Sequence, residues 1–204
     1  MTVLYRLAAD AAAIAAHFGA RAGDDPWPGG TLSPGSFAPV LTMGREFVAG
    51  PRGQGQPLRM VPRLWGVPPP PSVLDGRPVL SVRNVESPFW IGNLRNSEFR
   101  CLVPASAFME WGRADPATGR RRQHWFSCAD QPLFAFAGVW KDSEVPSFAL
   151  LTCEANALLR EAGIARMPVL LPPDPRAWQA WLAGEWSRAE ALLQPYPSGM
   201  MASV

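Results

Sequence analysis

The sequence predicts an α+β fold dominated by antiparallel strands, organised as a single domain over residues 1–204. Three observations predict it. Short apolar runs rich in β-branched and aromatic residues recur along the chain, separated by Gly, Pro, Asn and Ser. Helix-favouring stretches are few, short and mostly near the two ends. Hydrophobic residues make up 48% and charged residues 18% of the 204 positions, with nine Trp and ten Phe spread along the whole length. A chain of that size and composition carries enough apolar surface for one full core.

Taken in order, Thr2 to Tyr5 reads as a strand and Ala8 to Phe18 as a helix, with Asp10 near its start and Gly19 as its stop. His17, in the last helical turn, suits the negative end of the helix dipole, a structural role. Arg21 to Pro39 is rich in Gly and Pro and reads as a long irregular loop. Val40 to Ala49 and Leu58 to Val67 read as strands joined by the turn-rich AGPRGQGQP segment. Val67 to Ser72 is an extended proline-rich connector. Leu80 to Trp90 sets Ser81, Arg83, Asn84 and Glu86 among large aromatics, a pattern shared by ligand surfaces and solvated strand edges. Arg120 to Arg122 reads as a basic turn, and Gln123 to Ser127, Pro132 to Trp140 and Pro146 to Cys153 as successive strands. A short helix over Glu154 to Gly163, a strand over Met167 to Leu171 and helical pieces over Pro175 to Leu182 and Ser187 to Leu193 complete the chain. Trp178, Trp181 and Trp186 on the last pieces read as packing. No internal repeat is visible.

Composition excludes several classes of function. A net charge of +2 and a pI of about 8.6 give no general case for nucleic-acid binding, which needs clustered charge. Lys141 is the only lysine, so the other cations are Arg. Cys101, Cys128 and Cys153 are odd in number, far apart and set in apolar runs, as buried free thiols in a reducing compartment would be. His17 and His124 are the only histidines, and no C-x-x-C spacing occurs, so no metal site is expected. No stretch reaches the length of a membrane span. A cytoplasmic protein without cofactor is expected.

The most unusual stretch is Arg100 to Gly112, RCLVPASAFMEWG, in which apolar residues occupy both parities around a turn at Pro104 to Ser106. Strands covered on both faces look like this. Glu110, between Met109 and Trp111, is the one carboxylate in the run. Burial there would raise its pKa toward the range of proton transfer near neutrality. An ion pair with an Arg at the rim of the sheet would suit the same sequence.

Seven segments in order carry a resemblance: MTVLY at the start, LRMVPRLWGVP at 58–68, SVRNVESPFW at 81–90, FRCLVPASAFMEW at 99–111, PLFAFAGVW at 132–140, LLTCEAN at 150–156 and ARMPVLLP at 165–172. Together they resemble the SRAP family, the SOS response-associated peptidase-like proteins that shield abasic sites in single-stranded DNA. The resemblance implies one α+β domain with a barrel-like, mainly antiparallel β core flanked by short helices. It also implies a groove for single-stranded or abasic DNA, a role in the DNA damage response, and a monomer with neither metal nor membrane partner. In the family, a Cys exposed by removal of the initiator Met condenses with the abasic-site aldehyde and closes a thiazolidine ring.

Here that position is Thr2, whose hydroxyl stays protonated where a thiol is partly thiolate. Ser81 stands at the family's Asn, and Ile164 at the His of its H-x-R-M-P motif. An isoleucine cannot move a proton. Glu110 matches the family's catalytic acid, and Arg83 an Arg that contacts DNA phosphate. Trp65 matches an aromatic at the groove, and Thr152 and Arg166 keep the family pattern. The resemblance therefore implies DNA binding with the cysteine-dependent crosslink or autopeptidase chemistry lost or weakened. An active abasic-site lyase or peptidase using the Thr2 amine and Glu110, and a non-catalytic protein-interaction module, are the alternatives.

Overall fold

The computed structural model describes residues 2, 4–23, 27–43, 58–70 and 76–204. Its strands are β1 Leu4–Leu7, β2 Ala20–Arg21, β3 Gly30–Leu32, β4 Phe37–Thr42, β5 Leu58–Trp65, β6 Ser81–Val82, β7 Arg100–Ala105, β8 Ala107–Ala114, β9 Arg121–Cys128, β10 Phe134–Lys141, β11 Ser147–Glu154, β12 Arg166–Pro168 and β13 Met201–Ser203. The helices are α1 Ala11–Phe18, α2 Ile91–Arg95, α3 Ala157–Glu161, α4 Pro175–Ala183 and α5 Trp186–Glu190. The fold is α+β, as the sequence predicts. The AGPRGQGQP segment, the far end of the Val40 to Ala49 strand, and Pro71 and Ser72 of the connector lie outside the described residues.

Two sheets form the body. One runs β13-β9-β8-β1-β3, the other β12-β11-β10-β7-β4-β5-β2. Most neighbours are antiparallel, but β11 also pairs parallel with β5 through Ser147 with Leu64 and Phe148 with Trp65. That pairing closes β5, β4, β7, β10 and β11 into a ring, which makes the core barrel-like. Closure removes two exposed edges that would otherwise offer unpaired backbone groups. Every residue of β7 and all but the last of β10 are buried, so both strands lack the apolar/polar alternation of a half-solvated sheet.

Local chemistry explains the ends of the elements. Asp10 caps α1 by accepting the Ala13 amide at 2.8 Å, and Gly19 ends it with φ of 62°, a left-handed conformation that suits a residue without Cβ. Asn156 caps α3 through the Leu159 amide at 3.1 Å. Trp181 on α4 is fully buried and donates its indole N–H to the Cys101 carbonyl at 2.9 Å, pinning the helix to β7. The packing role expected of Trp178, Trp181 and Trp186 agrees with their contacts to the core.

Three sequence expectations are corrected. The stretch Arg21 to Pro39 is not wholly irregular: it holds β3, which pairs with β1, and the start of β4. The turn expected at Arg120 to Arg122 lies earlier, over Asp115 to Gly119, where the Asp115 carboxylate accepts the amides of Ala117 and Thr118. Arg121 and Arg122 consequently stand on β9. The strand expected over Met167 to Leu171 is shorter, Arg166–Pro168, with Leu170 forming only a bridge to Phe136.

Candidate active site

The register of β1 on β8 builds the centre of the site. Leu4 pairs with Met109 and Tyr5 with Phe108, which brings residue 2, just beyond the strand, beside Glu110. Thr2 is buried, and its Oγ1 donates to Glu110 Oε1 at 2.5 Å across 108 residues of sequence. Glu110 itself is 1% exposed. Burial raises its carboxyl above the ordinary 4.5, against the opposing pull of the amino-terminal charge, the Thr2 hydroxyl and the Arg83 guanidinium. The raised value favours a carboxyl that holds a proton closer to neutral pH, as a general acid or base requires.

The carboxyl faces a cavity of about 270 Å³ lined by Ser81, Arg83, Glu110, Trp111, Arg121, Thr152, Ile164 and Arg166, with Gly163 and Ala165. β6 and the turn after it supply Ser81 and Arg83, β8 supplies Glu110 and Trp111, β9 Arg121, β11 Thr152, and β12 with the preceding loop the rest. β6 is placed by its parallel pairing with β11, where Leu150 meets Ser81 and Leu151 meets Val82. A register shift between Trp111 and Ala114 bends β8 at the cavity mouth, as bulges commonly do.

The three arginines differ in what holds them. Arg166 donates to Glu154 Oε1 and to the Thr152 carbonyl, each at 2.7 Å, and reaches Thr152 Oγ1 at 3.3 Å. Thr152 Oγ1 in turn donates to the Val82 carbonyl at 2.9 Å. Thr152 and Arg166 therefore lock β11, β12 and β6 into one wall, with part of the Arg166 charge offset by Glu154. Arg83 and Arg121 are exposed and present their charge to solvent at the rim. Such a rim attracts an anion, and a guanidinium suits phosphate oxygens.

Seven of the eight site residues expected from the sequence thus converge: Thr2 on Glu110, and Ser81, Arg83, Glu110, Thr152, Ile164 and Arg166 round the cavity. Trp65 does not, and its expected place at a groove is corrected. It is 0% exposed, packs edge-on to Tyr5 with ring centroids 5.1 Å apart, and donates its indole N–H to the Leu80 carbonyl at 3.2 Å. No face of that ring is open to a base. Trp111, 38% exposed, is the aromatic at the cavity. Neighbours on a regular strand point to opposite faces, so no signal in the sequence marked it; it lines the cavity where the β8–β9 register shifts after Trp111. Arg121 was missed because the basic run was assigned to a turn.

The cysteines stand apart from this chemistry. All three are buried and free, and burial pushes Cys128 up to about 12 and Cys153 up to about 11, with Cys101 higher still. Thiols held that high carry almost no thiolate at neutral pH. Among the described residues no group of three or more His, Cys, Asp and Glu side chains gathers to hold a metal ion, and no helix is long and apolar enough to cross a membrane.

A family model described as SOS response associated peptidase (SRAP) matches residues 1–204. The chain belongs to the SRAP family. Among curated relatives, the abasic site processing protein YoqW of Bacillus subtilis strain 168 is 30% identical over 109 residues, covering 50% of this chain and 47% of that protein. The abasic site processing protein YoaM of the same organism is 32% identical over 111 residues, with the same coverage. The match thus spans about half the length of these relatives. Among solved structures, a protein from Bacteroides thetaiotaomicron superposes with a TM-score of 0.76 at 18% identity, covering 98% of this chain and 90% of that one. A protein from Bordetella bronchiseptica gives 0.73 at 21% identity, with 99% of each chain covered. At those identities the likeness establishes the fold alone.

Proposed function

We propose that this SRAP protein acts in the DNA damage response by binding single-stranded or abasic-site DNA over the Glu110 cavity, with the cysteine-dependent covalent chemistry lost or weakened. The observation that carries the reading is the convergence of a buried Thr2–Glu110 pair with a cavity whose open rim bears Arg83, Arg121 and Trp111. The rim arginines take the phosphates and Trp111 stacks on a base, an arrangement common in single-strand binders. Arg166 and Thr152 act mainly by holding the wall. Thr2 offers a hydroxyl where a thiol would close a stable ring, and Ile164 lines the cavity without a transferable proton. The names of the Bacillus relatives support abasic DNA as the ligand, and the core cluster running from Tyr5 to Met201 supports treating residues 1–204 as one domain.

Titration of the protein into a labelled single-stranded oligonucleotide, with and without an abasic site, tests the reading. Saturable binding is expected, with log affinity falling against log salt by about 0.7 for each phosphate neutralised. Affinity equal to that of an unrelated protein of similar charge would refute it.

A second reading is favoured by the raised Glu110 carboxyl and its hydrogen bond to Thr2. With Met1 removed, the free Thr2 amine would sit beside a proton donor and acceptor, which suits Schiff-base chemistry with an aldehyde. The chain would then act as an abasic-site lyase or peptidase. Borohydride trapping of a protein–DNA adduct from processed protein is the expected result under this reading. Absence of an adduct from protein shown by mass spectrometry to lack Met1 would exclude it.

A further inference from the structure

The outer face of the five-stranded sheet carries an aromatic and basic pair beside the cavity. β1, β8 and β9 lie side by side in that sheet, and directly opposed residues project from the same face. Leu4 is opposed by Met109, and Met109 by Trp125. Two residues along β8, Trp111 is opposed by Gln123. Trp111 and Trp125 are therefore diagonal neighbours on one face, about 7–8 Å apart. Phe108, Glu110 and Phe126 take the opposite face and are buried. Trp111 also borders the cavity, so the outer face is continuous with it.

Arg6 completes the pair. It is exposed and stands on β1 opposite Ala107, whose small side chain leaves room across β8. The guanidinium crosses that strand to lie over the Trp125 ring, its carbon 4.9 Å from the ring centroid. Such a cation–π contact orients a long side chain before any ligand arrives, so less side-chain freedom is lost on binding. Among the described residues no carboxylate pairs with Arg6, which leaves the hydrogen-bonding edge of the guanidinium to an outside anion. The same face of the sheet adds Thr31, Gln123 and Ser127, and no Asp or Glu side chain among the described residues.

We propose that the Arg6–Trp125 pair is a second contact for the nucleic-acid strand, receiving a nucleotide beyond the one stacked on Trp111. The inference rests on the reading that single-stranded or abasic DNA occupies the Glu110 cavity. Arg6 takes a phosphate at its edge, and the base of that nucleotide packs on the pair, since bases stack on indole rings and on guanidinium planes with little regard to sequence. Gln123, exposed on the same face, offers its amide to the backbone that links the two nucleotides. The strand thus leaves the cavity over Trp111 and crosses β8 and β9 toward Arg6.

The test uses protein labelled with 5-fluorotryptophan, with the Trp111 and Trp125 signals assigned by substitution to Phe. It is titrated with a trinucleotide carrying a central abasic site, and with strands lengthened on the 5′ or on the 3′ side by about six nucleotides, within the usual span of a single-strand site. The trinucleotide is expected to shift Trp111 alone. Lengthening at one end is expected to shift Trp125 as well, and the end that does so gives the polarity of the strand. Trp125 fixed with both longer strands while Trp111 shifts would overturn the proposal and leave the cavity reading intact. Neither signal moving with any oligonucleotide refutes that reading, and this proposal with it.

Arg6→Gln supplies a second readout at an exposed side chain. For the longer strand that reaches the pair, the fall of log affinity with log salt is expected to be shallower by about 0.7, the loss of one phosphate contact. The trinucleotide is expected to show no change in slope. Equal slopes for wild type and Arg6→Gln on the longer strand would also overturn the proposal.

Discussion

Replacing Glu110 by Gln separates the cost of the buried charge from the packing of the side chain. The amide is nearly isosteric and its oxygen can still accept the Thr2 hydroxyl, so shape and the hydrogen bond are kept. What changes is titration. Burial raises the folded-state carboxyl above its ordinary 4.5, so over the window from 4.5 up to the folded value the native protein holds a proton that the unfolded chain has released. Stability contributed at this site is therefore lost as pH rises through that window, with a slope of at most about 1.4 kcal/mol per pH unit. Below 4.5 both states are protonated and the penalty vanishes. The assay is urea unfolding of both proteins at pH 4.5, 5.5, 6.5 and 7.5, comparing midpoints at constant m. Relative to wild type, Glu110→Gln is expected to gain stability as pH rises above 4.5 and to level off once pH passes the folded value, with the smallest gain at pH 4.5. Parallel curves across the series, or a gain only at acid pH, would refute a carboxyl raised by burial.

Three further outcomes follow from the same structure. Thr2→Val should cost about 1–3 kcal/mol, the range for leaving a buried polar group without its hydrogen-bond partner, measured by the same unfolding assay; a neutral substitution would contradict the contact. Trp111→Ala should weaken binding to single-stranded DNA by about 1–3 kcal/mol with stability little changed, whereas Trp65→Ala should lower stability by about 3–5 kcal/mol, and calorimetry with oligonucleotide titration distinguishes the two. Thr2→Cys, in protein lacking Met1, should give an abasic-DNA adduct that survives denaturing gel electrophoresis without borohydride, and adding Ile164→His should raise its yield.

How much of this was legible in the sequence depended on whether the information was local. The capping of α1 by Asp10 and Gly19 and the approximate strand positions follow from propensity and turn chemistry within a few residues. β3 was hidden because Gly30, Thr31 and Leu32 have weak strand character of their own and are ordered by β1. The place of Trp65 could not be read because β5 is buried at positions of both parities, so the pattern does not tell core from groove. Arg121 was displaced from the site by a turn set a few residues off. The resemblance placed Glu110, Ser81, Arg83, Thr152 and Arg166 at one site, and the pairings of β1, β6 and β12 supply the physical means. The pairing of Glu110 with His124 had no sequence signal, since it depends on the register of β8 against β9.

The central claim, that nucleic acid occupies the Glu110 cavity, is tested most directly by fluorine NMR of protein labelled with 5-fluorotryptophan during titration with single-stranded abasic oligonucleotide. The nine Trp give a resolvable set, with the Trp111 and Trp65 signals assigned by substitution to Phe. Occupation of the cavity shifts the Trp111 resonance in proportion to saturation and leaves that of core-packed Trp65 in place. A Trp111 signal that stays fixed while the oligonucleotide binds would contradict the account.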